Sequence, residues 1–270
     1  MVNGREQSMI GIGDRGLLYG DGLFETIAIR EGAPCLWSAH LARLRRGAER
    51  LGIPYPGGAL LRAEANLLSD GVGQGVLRLT LTRGEGGRGY RPPPHPSPTR
   101  ILARYPSPER AASGGRLILC RTPLGNNPQL AGIKHLNRLE QVLARAEWQD
   151  PGIIDGVMTD VDGQVICGTM TNLFLVLDDG IVTPALNRCG VAGTVRALVF
   201  EHAAMLGIPL DERDIAVAEL SQARSLFVTN ALIGLIPVPR FDARRLDPGA
   251  VPCTLVEQIR EAVFQPETPE

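Results

Sequence analysis

Residues 76–84, VLRLTLTRG, limit the fold more than any other stretch. Leu77, Leu79 and Leu81 alternate with Arg78, Thr80 and Thr82. Period two sends successive side chains to opposite faces, so this segment predicts a strand with one face buried and the other wet. Residues 84–98, GEGGRGYRPPPHPSP, cannot continue it. The glycines free the backbone and the prolines remove donors, which predicts a long, flexible loop before another strand near 100–105.

The remaining pattern is mixed. Residues 23–30, LFETIAIR, follow the glycine turn YGDG and read as a strand. Ser38 is expected to cap a helix carrying Leu41, Leu44, Ala48 and Leu51 on one face, stopped by Gly52 and Pro54. The polar, small-residue break at 106–115 predicts a domain boundary, giving domains 1–108 and 109–270. A strand at 116–121 is expected next, then a helix at 135–149 with Leu136, Leu139, Val142, Leu143 and Ala146 inward. VDGQ and LDDGIV place Asp-Gly between apolar runs and predict hairpins. A helix at 193–205, strands at 226–230 and 234–239, and a last helix at 254–264 complete the reading. Strands and helices without regular alternation predict an α+β protein of two domains with largely antiparallel sheets.

With 270 residues, 44% of them hydrophobic, the chain can build its core without staples. A net charge of −1 with no basic cluster argues against nucleic acid as a partner. No membrane span or signal peptide is apparent, and the expected location is cytoplasmic. Five scattered cysteines with no CxxC pair, and four histidines without partners at ligand spacing, predict neither a disulfide framework nor a metal site.

Lys134 is the only lysine; every other basic side chain is arginine. Arginine stays protonated, whereas a desolvated lysine can act as an amine nucleophile. A chain that uses arginine for charge and keeps one lysine points to amine chemistry there, although codon bias would leave the same trace. The apolar lead QLAGIK places the amine in a semi-buried site.

The segment GIKHLNRLEQVLARAE resembles the Schiff-base lysine region of fold-type IV pyridoxal-phosphate enzymes. That group contains branched-chain and D-amino-acid aminotransferases and 4-amino-4-deoxychorismate lyases. The resemblance extends through DRGLLYGDGLFET, SAHLARL, RGEGGRGY, GTMTNLFLV, GVAGTVRALV and FVTNAL, and KHLNRLEQV is most similar to the lyases. It implies the D-amino-acid-aminotransferase-like architecture, a small N-terminal α/β domain and a larger cofactor-binding domain. It also implies pyridoxal 5'-phosphate as cofactor and a homodimer with the active site between the domains and near the subunit interface. The implied lyase substrate is the small anion 4-amino-4-deoxychorismate, converted to 4-aminobenzoate and pyruvate in folate biosynthesis. An aminotransferase of the same fold, or a catalytically weak cofactor-binding homologue, stays open.

The resemblance assigns Lys134 as the catalytic residue. Gly193, Thr194 and Val195 would form the phosphate cup, helped by Arg43, Thr229 and Asn230. By spacing alone, Gly193 reads first as an ordinary turn before a helix and Arg43 as a solvated helix arginine. Phe24 and Glu25 fall where the family lines its pocket. Arg88 and Tyr90, beside Arg83 and Arg91, suit substrate carboxylates; D-amino-acid aminotransferases carry arginine and histidine at the positions of Arg88 and Tyr90, so Tyr90 weighs against that alternative. Cys167 stands where the family has a glutamate paired to the pyridine nitrogen. A thiol is a poorer partner, which weakens the ring as an electron sink and disfavours transamination more than a reaction driven by aromatisation.

Overall fold

The computed structural model describes residues 1–108 and 115–267. It divides into two units: Met1–Pro108 with Ile133–Asn137 and Phe264–Glu270, and Glu109–Gly132 with Arg138–Val263. Lys134 therefore belongs with the N-terminal segment, although it follows it by some distance in the chain. Most of the break expected at 106–115 lies outside the described residues.

In the first unit the elements are α1 (Arg15–Tyr19), β1 (Gly22–Arg30), β2 (Ala33–Pro34), α2 (Trp37–Leu51), α3 (Gly58–Ser69), β3 (Gln74–Thr82) and β4 (Thr99–Tyr105). The strands form one antiparallel sheet, order β2-β1-β3-β4. The alternation in β3 holds over most of its length: Leu77, Leu79 and Leu81 are fully buried and Arg78 and Thr80 half-buried, but Thr82, expected on the wet face, is buried, its hydroxyl donating to Asp14 at 2.9 Å. Helix α2 buries Leu44 and Ala48 as expected, but Leu36, not Ser38, is its N-cap. Leu36 offers no side-chain acceptor. The Glu267 carboxylate takes over, accepting from the Ser38 amide and hydroxyl at 2.8 and 3.0 Å. An anion at a helix N-terminus also suits the helix dipole.

The second unit holds β5 (Arg116–Leu119), α4 (Leu139–Arg145), β6 (Ile153–Thr159), β7 (Val165–Gly168), β8 (Asn172–Val176), β9 (Ile181–Pro184), α5 (Thr194–Met205), β10 (Leu210–Arg213), β11 (Ser225–Asn230), β12 (Gly234–Val238), β13 (Arg240–Phe241), β14 (Arg244–Arg245) and α6 (Cys253–Phe264), of which only Phe264 falls in the first unit. Two five-stranded sheets result, β10-β9-β8-β11-β12 and β14-β13-β5-β6-β7. Pairing is antiparallel except for β10 with β9, β13 with β5 and β5 with β6. Both Asp-Gly segments turn hairpins, β6 to β7 and β8 to β9. The core joins Leu117, Val157 and Val165 of one sheet to Leu173, Leu175 and Val228 of the other.

One expected helix is corrected. The 135–149 pattern yields a helix only over Leu139–Arg145, because residues 134–136 pair instead with the edge of β1. Its expected inward face is not inward: Leu139, Val142 and Leu143 are 76%, 60% and 60% exposed, and Ala144 is the buried residue of the helix.

Candidate active site

Lys134 lies in an extended segment. Its carbonyl accepts from the Phe24 amide at 3.0 Å, and Leu136 donates to the Gly22 carbonyl at 3.0 Å. This backbone pairing fixes the side chain: Lys134 Nζ stands 4.4 Å from the centre of the Phe24 ring, and the Arg78 guanidinium is 4.2 Å from the same centre. Two cationic side chains against one aromatic ring make a half-buried, electropositive place for an amine.

Behind it is a buried cluster around Glu25. His40 Nδ1 is 2.6 Å from one carboxylate oxygen and Arg43 Nε is 2.9 Å from the other, with a second Arg43 nitrogen on the His40-bound oxygen. Burial pushes the Glu25 carboxyl up, but the Arg43 charge and the hydrogen bonds from Arg43 and His40 outweigh it and bring it down to about 2. An ionised carboxylate only accepts, so His40 Nδ1 carries the proton. Burial, with the Arg43 and Lys134 charges adding to it, lowers the His40 pKa against the pull of Glu25 and favours the neutral ring. Its Nε2 is then a bare acceptor, buried without a hydrogen-bond partner among the described residues. His40 has no partner at ligand spacing in the sequence; only its meeting with Glu25 gives it a place here. Arg43, expected to serve a phosphate, has two nitrogens engaged by Glu25.

The glycine-rich loop is pinned, which corrects the expectation of a flexible one. Arg83 is buried and bound to both Asp21 carboxylate oxygens and to the Leu51 and Gly52 carbonyls, all within 3.0 Å, so it is structural. Arg88 and Tyr90 are exposed, Tyr90 by 84%. The Tyr90 ring meets the Tyr19 ring edge-on at 5.4 Å.

In the second unit, Gly193 precedes α5 and no side chain caps that helix, so the first-turn amides of Thr194 and Val195 face outward from its N-terminus. Gly193 is glycine for steric reasons: a Cβ would stand 2.1 Å from Asn172 Oδ1. Asn172 Nδ2 donates to the Val191 carbonyl at 2.9 Å and so shapes the turn, a role that sequence reasoning missed. Thr229, on β11, is 1% exposed with its hydroxyl unpartnered among the described residues. Asn230 ends the strand, its side chain bonded to the Leu232 and Ile233 amides. Cys167 on β7 packs with Cys120, Met158 and Ile166. The turn after it is stitched by buried Asp155, which accepts from the Thr169 and Thr171 hydroxyls.

A helix N-terminus with uncapped amides beside no competing carboxylate is an anion site, and a buried hydroxyl without a partner normally has one that is supplied from outside the chain. Within the second unit these residues fit a phosphate, and within the first unit Lys134 is an amine suited to an aldehyde. A branched-chain aminotransferase structure from Thermoproteus uzoniensis superposes with a TM-score of 0.87 over 97% of this chain and 93% of that one, at 22% identity, which speaks to the fold alone.

The family model for class IV amino-transferases matches residues 22–241, and the chain belongs to that family. It is an enzyme with pyridoxal 5'-phosphate as cofactor. It is 48% identical to 4-amino-4-deoxychorismate lyase from Pseudomonas aeruginosa, whose crystal structure matches with a TM-score of 0.91 over 97% of this chain and 98% of that one. It is 36% identical over 249 residues to aminodeoxychorismate lyase from Vibrio harveyi, covering 90% of this chain and 91% of the relative. Among the described residues no helix is long and apolar enough to cross a membrane, and no cluster of side chains could hold a metal ion.

Proposed function

We propose that the protein is a 4-amino-4-deoxychorismate lyase, releasing pyruvate and 4-aminobenzoate for folate biosynthesis. The observation that carries this reading is the 48% identity, over nearly the whole of both chains, to a lyase of that name. The cofactor, held covalently by Lys134, supplies a ring that withdraws electrons from the carbon bearing the substrate nitrogen. Freed when the substrate's amine takes its place, Lys134 would act as general base, taking the proton from that carbon, and the carbon–oxygen bond to the enolpyruvyl group would break as the substrate's ring becomes aromatic. The same amine returns a proton to the departing methylene carbon, which completes pyruvate.

The other residues bind and orient. The amides of Thr194 and Val195, the close approach allowed by Gly193, and the Thr229 hydroxyl hold phosphate. Asn230 shapes the neighbouring turn, and Arg43, beside its pairing with Glu25, is the arginine that the family resemblance assigns to the phosphate. Phe24 lines the floor beside the amine. Arg88 and Tyr90 meet substrate carboxylates. Cys167 stands where the family resemblance expects a carboxylate beside the pyridine nitrogen, and a thiol there would leave the ring less protonated. That favours a reaction with aromatisation as its driving force over transamination, the second reading.

Formation of 4-aminobenzoate and pyruvate in equal amounts from 4-amino-4-deoxychorismate tests the proposal. Conversion of the cofactor to its amine form by a D- or branched-chain amino acid, with no 4-aminobenzoate, would replace it by the aminotransferase reading. Failure of both reactions, with a large gain in Cys167→Glu, would mark a degenerate site. The protein is further proposed to be a homodimer in the cytoplasm; the apolar face of α4, exposed in the single chain, suits association. A monomer mass in sedimentation equilibrium would remove the dimer from the proposal.

A further inference from the structure

The buried side chain of Arg15 has no role above, yet it holds the backbone of the loop that carries Arg88 and Tyr90. Its guanidinium donates to the Gly89 carbonyl at 3.0 Å and the Tyr90 carbonyl at 2.9 Å, with a longer contact of 3.5 Å to Arg91. Nε is bound to Asp21 at 2.8 Å. The Tyr19 ring lies 4.9 Å from the guanidinium carbon, and its hydroxyl accepts from the Gly89 amide at 3.1 Å. A planar guanidinium can meet successive carbonyls and a carboxylate at once, which an ammonium cannot.

The loop is built to admit this side chain. A Cβ on Gly86 would stand 2.8 Å from Arg15 Cδ, and Gly89 has φ +97°, where a side chain is strained. The clamp is also tied to the lysine segment. Asp21 is flanked by Gly20, whose carbonyl is 3.5 Å from Asn137 Nδ2, and by Gly22, whose carbonyl takes the Leu136 amide. A continuous path of short contacts thus runs from residues 134–137 through the 20–22 turn and Arg15 to the backbone of Gly89 and Tyr90.

We infer that Arg15 is a positioning residue, which sets the backbone of residues 88–91 so that Arg88 and Tyr90 are presented in fixed register to the carboxylates of an anionic substrate. The inference deepens the lyase reading and rests on it for the substrate's identity. The clamp costs loop entropy once, on folding, so the substrate need not order the loop on binding; losing it should raise KM more than it lowers kcat.

The test uses the cofactor-loaded protein and the variants Arg15→Met, Arg15→Lys and Tyr19→Phe. Trypsin cleavage after Arg88 should be about ten-fold faster or more in Arg15→Met, as expected for losing two or more net hydrogen bonds. KM for 4-amino-4-deoxychorismate should rise about ten-fold with kcat within about three-fold, and the visible band of the Lys134-bound cofactor should be unchanged. Arg15→Lys, which keeps the Asp21 ion pair but not the fork, should resemble Arg15→Met. Tyr19→Phe should move the same two readouts by less, and it serves if Arg15→Met fails to fold. Equal trypsin rates in all proteins, or wild-type behaviour of Arg15→Lys, would overturn the clamp. Faster cleavage with unchanged KM would overturn the positioning role. If the wild type does not turn over 4-amino-4-deoxychorismate, the lyase reading fails; the clamp is then decided by the trypsin rates and by KM for whichever amino acid bleaches the cofactor band.

Discussion

The residues assigned to the cofactor fall into two groups that solve the problem of burial differently. In the first unit, Glu25, Arg43 and Lys134 bring formal charge into a protein interior, and Glu25 is held ionised only because Arg43 and His40 meet it. In the second unit, Gly193, Thr194, Val195, Cys167 and Thr229 carry no formal charge and offer amides, a thiol and a hydroxyl. A buried charge left without its partner is far more costly than a buried hydroxyl left alone. The first group should therefore be tightly coupled to folding, and the second to cofactor affinity.

The largest effect belongs to Lys134. Lys134→Ala should abolish both the visible cofactor band and activity, and Lys134→Arg should do no better despite keeping the charge. An active Lys134→Arg protein would end the amine mechanism. Next, Glu25→Ala removes the buried carboxylate that both Arg43 and His40 meet and should lower stability by about 3–5 kcal/mol, read by denaturant unfolding. A loss below about 1 kcal/mol would erase the contrast between the two groups.

Acid should act on the same cluster. Because the folded Glu25 carboxyl lies at about 2 against an ordinary 4.5, its stabilisation is complete above 4.5 and is lost as the pH falls toward 2. His40, lowered from 6.5, adds to the trend below 6.5, where the unfolded histidine takes up a proton that the folded one resists. Thermal midpoints should fall as the pH drops below 6.5, and Glu25→Gln should flatten the part of the slope below 4.5.

Smaller effects are expected in the second unit. Gly193→Ala forces a Cβ against Asn172 and should cost about 1–3 kcal/mol together with weaker cofactor binding. Thr229→Val should leave the cofactor-free protein as stable or slightly more so, because it removes an unpartnered buried hydroxyl. It should weaken pyridoxal-phosphate affinity by roughly 1 kcal/mol, about five-fold. Equal affinity by fluorescence titration would take Thr229 out of the cofactor site.

Much of this was legible in advance where a local rule had no competitor. The β3 alternation, the two Asp-Gly hairpins and the Gly-capped start of α5 are read from short windows, and the tertiary structure leaves them in place. The lone lysine was legible for a chemical reason, since arginine cannot replace an amine. Helix 135–149 misread because its apolar spacing is compatible with a helix, while the free edge of β1 offered residues 134–136 backbone partners that no periodicity reveals. Ser38 misread as a cap because the acceptor that serves α2 comes from Glu267, more than two hundred residues away. The loop read as flexible because its glycines were counted without the arginine they make room for.

The sequence by itself determined the α+β class and the family, and it singled out the one amine to which the chemistry is proposed to belong, because each depends on residue type and short spacing. Only the tertiary structure decided what surrounds that amine: that Phe24 lies beneath it, that Glu25 engages Arg43 and His40, and that Arg15 reaches across to residues 89–91. Those meetings join residues many positions apart, and their energies depend on burial and on distances of a few ångströms, which only the folded chain sets.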